Sequence, residues 1–260
     1  MAEKKLGLVL SGGGARGFAH LGVLEVLEEQ GVYPSIIAGS SAGSIAGTFY
    51  AAGYRPREIV DILMEKSFYQ YTNLSNPLGG GIMKLNGMKE LIDNKLNNCN
   101  LEDLNIPMIV CATNMNKGES TYFTEGPAGE RVLASSSIPI LFRLVTIDGI
   151  QYGDGGLMNN LPAKAVKDKA DIILGVNVIS PGYEENLGSV AKVALRSFHL
   201  GVAANILEEA SYCDYFIDMP ELMEYGLLKN SQGKKIFDVG YTKAKQYFRE
   251  NPIHLGEEGS

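Results

Sequence analysis

Residues 6–29 read LGLVLSGGGARGFAHLGVLEVLEE. An apolar run, Leu6–Leu10, stops at Ser11 and three glycines, and a helical pattern of apolar residues follows without a linker. A strand that hands its chain through glycines to a helix is the opening unit of a parallel α/β fold. Gly12, Gly14 and Gly17 also satisfy G-x-G-x-x-G. That spacing cradles a pyrophosphate when an acidic residue follows about 20 positions on, at the end of the second strand. The next strand candidate, Ser35–Ala38, is followed by no carboxylate. It is followed by GSSAGS, residues 39–44.

This second stretch changes the reading. Gly39-Ser40-Ser41-Ala42-Gly43 is G-x-S-x-G at a strand-to-helix junction, the context of a nucleophile elbow. The turn is so tight that side chains two before and two after the serine would clash, and both positions are glycine. It lifts Ser41 clear of the backbone, at a helix N-terminus that favours negative charge. Neighbouring parallel strands end at one edge of a sheet, so the first glycine loop comes to lie beside Ser41. Acyl transfer requires that pairing, because preorganised N–H donors stabilise the tetrahedral oxyanion. Gly12, Gly13 and Gly14 are therefore expected to form an oxyanion hole, with Gly13 and Gly14 as donors. Arg16 either steadies the loop or meets an anionic group on the substrate.

A serine hydroxyl needs a base. His20 has a spacing that suits packing within its helix, His199 lies mid-helix, and His254 follows the last helix with no strand before it. None stands where an α/β-hydrolase carries its histidine. The stretch QYGDGGLMNNLP, residues 151–162, instead places Asp154 ahead of Gly155 and Gly156 at the end of a β-like run. Asp-Gly-Gly alone reads as a turn. Beside an oxyanion loop and an elbow serine that lack a base, it reads as the proton acceptor. Burial would raise its pKa from the ordinary ~3.9 and make it a better base. Cys111 is the alternative nucleophile, with no histidine beside it in sequence. Cys99, Cys111 and Cys213 have no metal-type spacing and read as reduced thiols of a cytoplasmic protein.

The same alternation extends along the chain. Further strands are expected at Met108–Thr113, Ser120–Thr124, Leu144–Ile147, Ile172–Val178 and Tyr215–Asp218. Helices are expected at Ala15–Gln30, Ala42–Ala51, Pro56–Lys66, Gly87–Leu96, Pro162–Lys169, Leu187–Ala210 and Lys234–Glu250. The pattern predicts a parallel sheet with helices on both faces. Residues 67–85 fit no element. Phe68, Tyr69, Tyr71, Leu78, Ile82 and Met83 surround Pro77 and three glycines there, as in a surface loop packed on its own aromatics or an apolar flap over a greasy substrate.

The chain has 260 residues, 20% charged, with a formal net charge of −7. That acidity argues against nucleic acid and against electrostatic docking on anionic lipid. No run approaches the ~18 apolar residues of a transmembrane helix, and no signal-peptide pattern stands at the start. At most a transient membrane-surface contact is expected. Residues 1–250 read as one domain. The polar tail, 251–260, is expected to be disordered or left over from expression.

GGGARG, GSSAG and DGG, in that order, resemble the patatin-like phospholipases. The likeness runs over roughly residues 5–250 and includes ASSSIPILFRLVTIDGIQYGDGGLMNNLP, residues 134–162. The resemblance implies a three-layer α/β sandwich with a mostly parallel central sheet, related to patatin and cytosolic phospholipase A2. It implies hydrolysis of lipid acyl esters by a Ser–Asp dyad, with no histidine, metal or cofactor. By position, Ser41 would be the nucleophile, Asp154 the proton acceptor, and Gly12, Gly13, Gly14, Ala15, Arg16 and Gly17 the oxyanion loop. The chain looks like the short bacterial members. It departs from the family at Thr113-Asn114, where relatives often carry Thr-Asp, which bears on loop geometry or substrate fit. Three competing readings are a patatin-like scaffold that binds with little turnover, a nucleotide-binding module and a histidine-triad hydrolase. An acyl thioesterase would use the same site.

Overall fold

The computed structural model describes residues 4–65, 73–74, 81–183, 185–227 and 229–253. In chain order the elements are β1 (Leu6–Leu10), α1 (Phe18–Glu29), β2 (Ile36–Ser40), α2 (Ala42–Ala51), α3 (Pro56–Met64), β3 (Asn73–Leu74), β4 (Gly81–Lys84), α4 (Asn86–Lys95), β5 (Met108–Asn114) and β6 (Glu119–Phe123). There follow α5 (Ala128–Ser135), β7 (Ile140–Phe142), β8 (Val145–Ile147), β9 (Ile150–Asp154), β10 (Ile172–Asn177), α6 (Val190–Ala204), α7 (Ile206–Ala210), β11 (Tyr215–Asp218) and α8 (Gly233–Glu250).

The protein is a mixed α/β fold around a central sheet of order β11-β10-β1-β2-β5-β9-β8, with β6 paired to β5. The five strands from β11 to β5 are parallel, while β6, β8 and β9 pair antiparallel. The sheet is thus mostly parallel, as expected; β6 follows β5 and β9 follows β8 through a short turn, and a strand so connected comes back antiparallel. A second, small sheet joins β3, β4 and β7. It runs through part of the segment read as a loop, because β4 finds its backbone partners in β7, with Met83 opposite Phe142.

Alternation along β1 divides the interior. Leu6, Leu8 and Leu10 enter the larger core with Leu21, Leu24, Phe49 and Phe237, from α1, α2 and α8. Val9 turns to the opposite face, where it meets Ala38, Ile109, Leu161, Val202 and Ile206. Strands buried on both faces read as continuous apolar runs, which is why β1 and β10 stand out in the sequence. Each such side chain, fully buried, contributes about 1.5–3 kcal/mol.

Two expected helices differ. Residues 162–169 form only a short 3-10 turn, Ala163–Val166, where the Glu209 carboxylate accepts the Lys164 N–H (2.8 Å). The helix expected over 187–210 starts later, behind an N-cap at Ser189, and breaks at Asn205 into α6 and α7. The side chain of Asn205 serves the site instead. Of the aromatic and apolar residues singled out at 67–85, Phe68, Tyr69, Tyr71 and Leu78 lie outside the described residues. Ile82 belongs to β4, and Met83 packs against the larger core.

Candidate active site

The site is built on one edge of β5. Along that edge β2 pairs with β5 as far as Ser40 opposite Cys111. One residue later β9 takes over the same edge, with Asp154 opposite Ala112. β6 occupies the other edge through this stretch, so β2 and β9 meet end to end. The residue after β2 is Ser41, and the last residue of β9 is Asp154.

Ser41 has φ 49° and ψ −118°, a region that costs a non-glycine residue about 1–3 kcal/mol. The surroundings hold it there. Its N–H donates to Ser135 Oγ (2.9 Å), its carbonyl accepts from Ser44 Oγ (2.7 Å), and Ser135 Oγ in turn donates to the Cys111 carbonyl (2.5 Å). The flanking glycines meet the elbow's demand. A Cβ on Gly39 would stand 2.6 Å from the Gly43 carbonyl, and a Cβ on Gly43 2.2 Å from the Leu10 oxygen.

The Ser41 hydroxyl donates to Asp154 Oδ2 at 2.6 Å. The second carboxylate oxygen accepts the Gly156 N–H at 2.9 Å. Thr113 Oγ1 donates to the Asp154 carbonyl (2.8 Å), and the Asp154 N–H to Ser137 O (2.9 Å). Ser41 is 8% exposed and Asp154 2%. Burial raises the Asp154 pKa to about 6, against the lowering effect of the bonds from Ser41 and Gly156.

The glycine loop lies beside this pair. The Gly12 N–H is spent on Asn160, its side-chain oxygen (3.1 Å) and its carbonyl (3.2 Å). Ala15 N–H donates to Leu227 O (2.7 Å) and Arg16 N–H to Gly13 O (3.2 Å). Among the described residues, the N–H groups of Gly13 and Gly14 have no acceptor. They are the two expected as donors to an oxyanion. Arg16 steadies the loop: its guanidinium is buried against Tyr225 O (2.9 Å) and the sulfur and carbonyl of Met223.

The sequence profile described as Patatin-like phospholipase matches residues 8–167, most of the chain, including Ser41, Asp154 and the glycine loop. The chain belongs to the patatin-like phospholipase family. An uncharacterized NTE family protein of Mycobacterium bovis is 33% identical over 68% of this chain and 50% of its own length. Lysophospholipase NTE1 of Pyricularia oryzae is 27% identical, covering 100% of this chain and 19% of its own length. The chain thus spans half or less of these relatives. Among solved structures, VipD from Legionella pneumophila superimposes with a TM-score of 0.61 at 16% identity, over 96% of this chain and 67% of that one; this likeness is one of fold.

In this patatin-like chain the remaining candidates go elsewhere. His20 is fully buried, its Nε2 donating to Ser11 O (2.8 Å), and burial lowers its pKa to about 4. Cys111 is also fully buried, and burial pushes its thiol pKa up, so the thiolate is disfavoured. His254 lies outside the described residues. Asn114, where patatin-like relatives often carry Asp, caps its own turn: its side-chain oxygen accepts from Asn116 and Lys117 N–H groups (both 3.1 Å).

Two cavities meet at Ser41. One is apolar, lined by Phe18, Ile45, Ala46, Leu63, Met88 and Phe142. The other holds Asp154, Asn160, Phe198, His199 and Val202. His199 is thus brought to the patatin-like site from mid-helix, with its pKa lowered to about 4 by burial and by Arg16 and Arg196.

Three positioning residues escaped the sequence reading. Asn160 ties the glycine loop to the Asp154 turn. Asn205 accepts the Asn160 N–H (3.0 Å) and donates to Gly156 O (3.1 Å). Ser135 holds the elbow. Asn160 and Ser135 stand in quoted motifs, NNLP and ASSSIP, yet a small polar residue gives no periodic signal. Asn205 interrupts a helical pattern, which is the one cue it offers.

Proposed function

We propose that the chain is a serine hydrolase of fatty acyl esters of lipids, acting through a Ser41–Asp154 dyad and an acyl-enzyme. The observation that carries this is the 2.6 Å bond from the Ser41 hydroxyl to a buried carboxylate whose pKa is lifted to about 6. A base is most useful when its pKa approaches the working pH. Membership of the patatin-like phospholipases and likeness to a lysophospholipase support a lipid substrate.

Asp154 takes the hydroxyl proton as Ser41 Oγ attacks the ester carbonyl. The N–H groups of Gly13 and Gly14 receive the oxyanion; a single such donor is worth about 2.7–4 kcal/mol of barrier. Collapse expels the alcohol, which recovers the proton from Asp154. Asp154 then deprotonates a water that attacks the acyl-enzyme, and the fatty acid and free Ser41 are regenerated. The apolar cavity suits the acyl chain.

Treatment with a fluorophosphonate followed by intact mass measurement tests this. One adduct is expected on the native chain and none on Ser41→Ala. A folded native chain that takes no adduct would overturn the proposal and favour a binding scaffold.

A further inference from the structure

The cavity that holds Asp154 is the one the alcohol half of an ester has to enter, because Asp154 returns the proton to the departing oxygen. Its wall carries four polar side chains, Ser41, Asp154, Asn160 and His199. Three are already spent. Ser41 donates to Asp154, and the Asn160 amide accepts from the Gly12 N–H and donates to the Gly12 carbonyl. His199 is the fourth, and neither of its ring nitrogens is hydrogen-bonded to a described residue. His20, by contrast, spends its Nε2 on Ser11 O in the interior. The other side chains of the wall, Phe198, Val202 and Leu227 among them, are apolar. A polar group on the alcohol therefore has one unspent side chain to meet.

What an imidazole can bind follows from its charge. Arg16 and Arg196 lie near enough for their charge to add to burial in keeping the His199 ring neutral. Both guanidiniums are tied to backbone carbonyls, Arg16 to those of Tyr225 and Met223, Arg196 to those of Pro181 and Gly182. A neutral imidazole offers one donor and one acceptor. A phosphate offers acceptors alone and an ammonium donors alone, so each would use half of the ring. A hydroxyl offers both. A site that pairs with a substrate hydroxyl also rejects the analogue that lacks one, because its own polar group is then left unpaired.

We propose that His199 selects the alcohol half of the substrate, pairing with a free hydroxyl that the alcohol carries beside the ester oxygen, as in a monoester of glycerol. The inference rests on the Ser41–Asp154 reading and adds the leaving-group side to it. The proton still travels between Ser41, Asp154 and the departing oxygen; His199 holds the alcohol in line for that transfer.

Rates on 1-hexanoylglycerol and propyl hexanoate, which share one acyl chain, test this. The native chain should favour the glycerol ester about 10-fold in kcat/KM, the effect of one hydrogen bond. His199→Leu should erase the preference. His199→Gln, which keeps a donor and an acceptor, should retain most of it. A packing role would slow both esters alike, whereas this contact separates them. Circular dichroism reports whether each variant folds, and His199→Phe takes the place of His199→Leu should the latter misfold. Equal kcat/KM for the two esters on the native chain would overturn the inference without any variant, and so would a preference that survives His199→Leu or His199→Phe. Hydrolysis of both esters with no preference leaves the dyad standing alone. A folded chain that hydrolyses neither and takes no fluorophosphonate adduct overturns the dyad, and this contact with it.

Discussion

On one side of Ser41 the wall is Phe18, Ile45, Ala46, Leu63 and Met88, drawn from α1 to α4 and continuous with the larger core. On the other it is Asp154, Asn160, His199 and Val202, drawn from a strand end, a turn and α6. The first wall does two jobs with one residue type, since what packs the fold also faces the cavity. The second wall includes Asp154 and Asn160, polar groups that are buried and fixed by hydrogen bonds. Apolar contact tolerates variation in shape, whereas a buried polar group without its partner costs about 1–3 kcal/mol. The two walls should therefore respond differently to substitution.

The largest effects belong to the polar wall. Ser41→Ala should remove ester hydrolysis, and Asp154→Asn should lower kcat by about 10²–10⁴-fold, the range for a lost general base. Asp154→Asn should also stabilise the fold. The carboxyl pKa is raised to about 6 in the folded state, from an unfolded value of ~3.9. Between those values the folded chain binds more protons, so stability falls as pH rises through the window, and the cost is complete above it. Removing it is worth on the order of 3 kcal/mol at neutral pH, before the lost bond to Ser41 is subtracted. A melting temperature for Asp154→Asn below that of the native chain at pH 8, yet equal at pH 4, would contradict this sign.

Next comes the apolar wall. Ala46→Phe should fill the cavity and lower kcat/KM about 100-fold for a palmitoyl ester relative to a butyryl ester. Overpacking of this kind costs about 1–3 kcal/mol of stability. An unchanged ratio would mean that the acyl chain lies against the other wall. Asn160→Ala should lower kcat about 10–100-fold with KM nearly constant, because it frees the loop that carries the Gly13 and Gly14 donors. A change confined to KM would make Asn160 a substrate contact instead.

The smallest effect is the most discriminating. The rate should fall tenfold per pH unit below about 6, as Asp154 becomes protonated. A limb there is usually ascribed to histidine. His199 is held near 4 and His20 near 4, so His199→Gln should leave the limb in place. Its disappearance would restore the histidine.

What the sequence made legible follows the same division. β1, α2 and β11 were bounded to the residue because glycines or charged residues punctuate continuous apolar runs. Ser41, Asp154 and the glycine loop, which the fold brings together, were legible as candidates because each stands in a short motif. The antiparallel return of β9 and the β4–β7 pairing depend on partners far along the chain, and no local pattern encodes them. Helix α5 was missed because its eight residues, AGERVLAS, show too few turns to display a period. The apolar wall was legible as core alone, since Ala46 and Met88 in a cavity wall look no different from Ala46 and Met88 in a packed interior.

The end-to-end meeting of β2 and β9 on β5 has a consequence in time as well as in space. Ser41 and Asp154 are 113 residues apart in the chain, and the strand that joins them is made after one and before the other. A growing chain therefore carries its serine long before its base exists. Closing such distant segments is the slow part of folding. Reactivity at Ser41 is thus a clock that starts only once β9 has docked on β5, and its recovery after dilution from denaturant dates that docking.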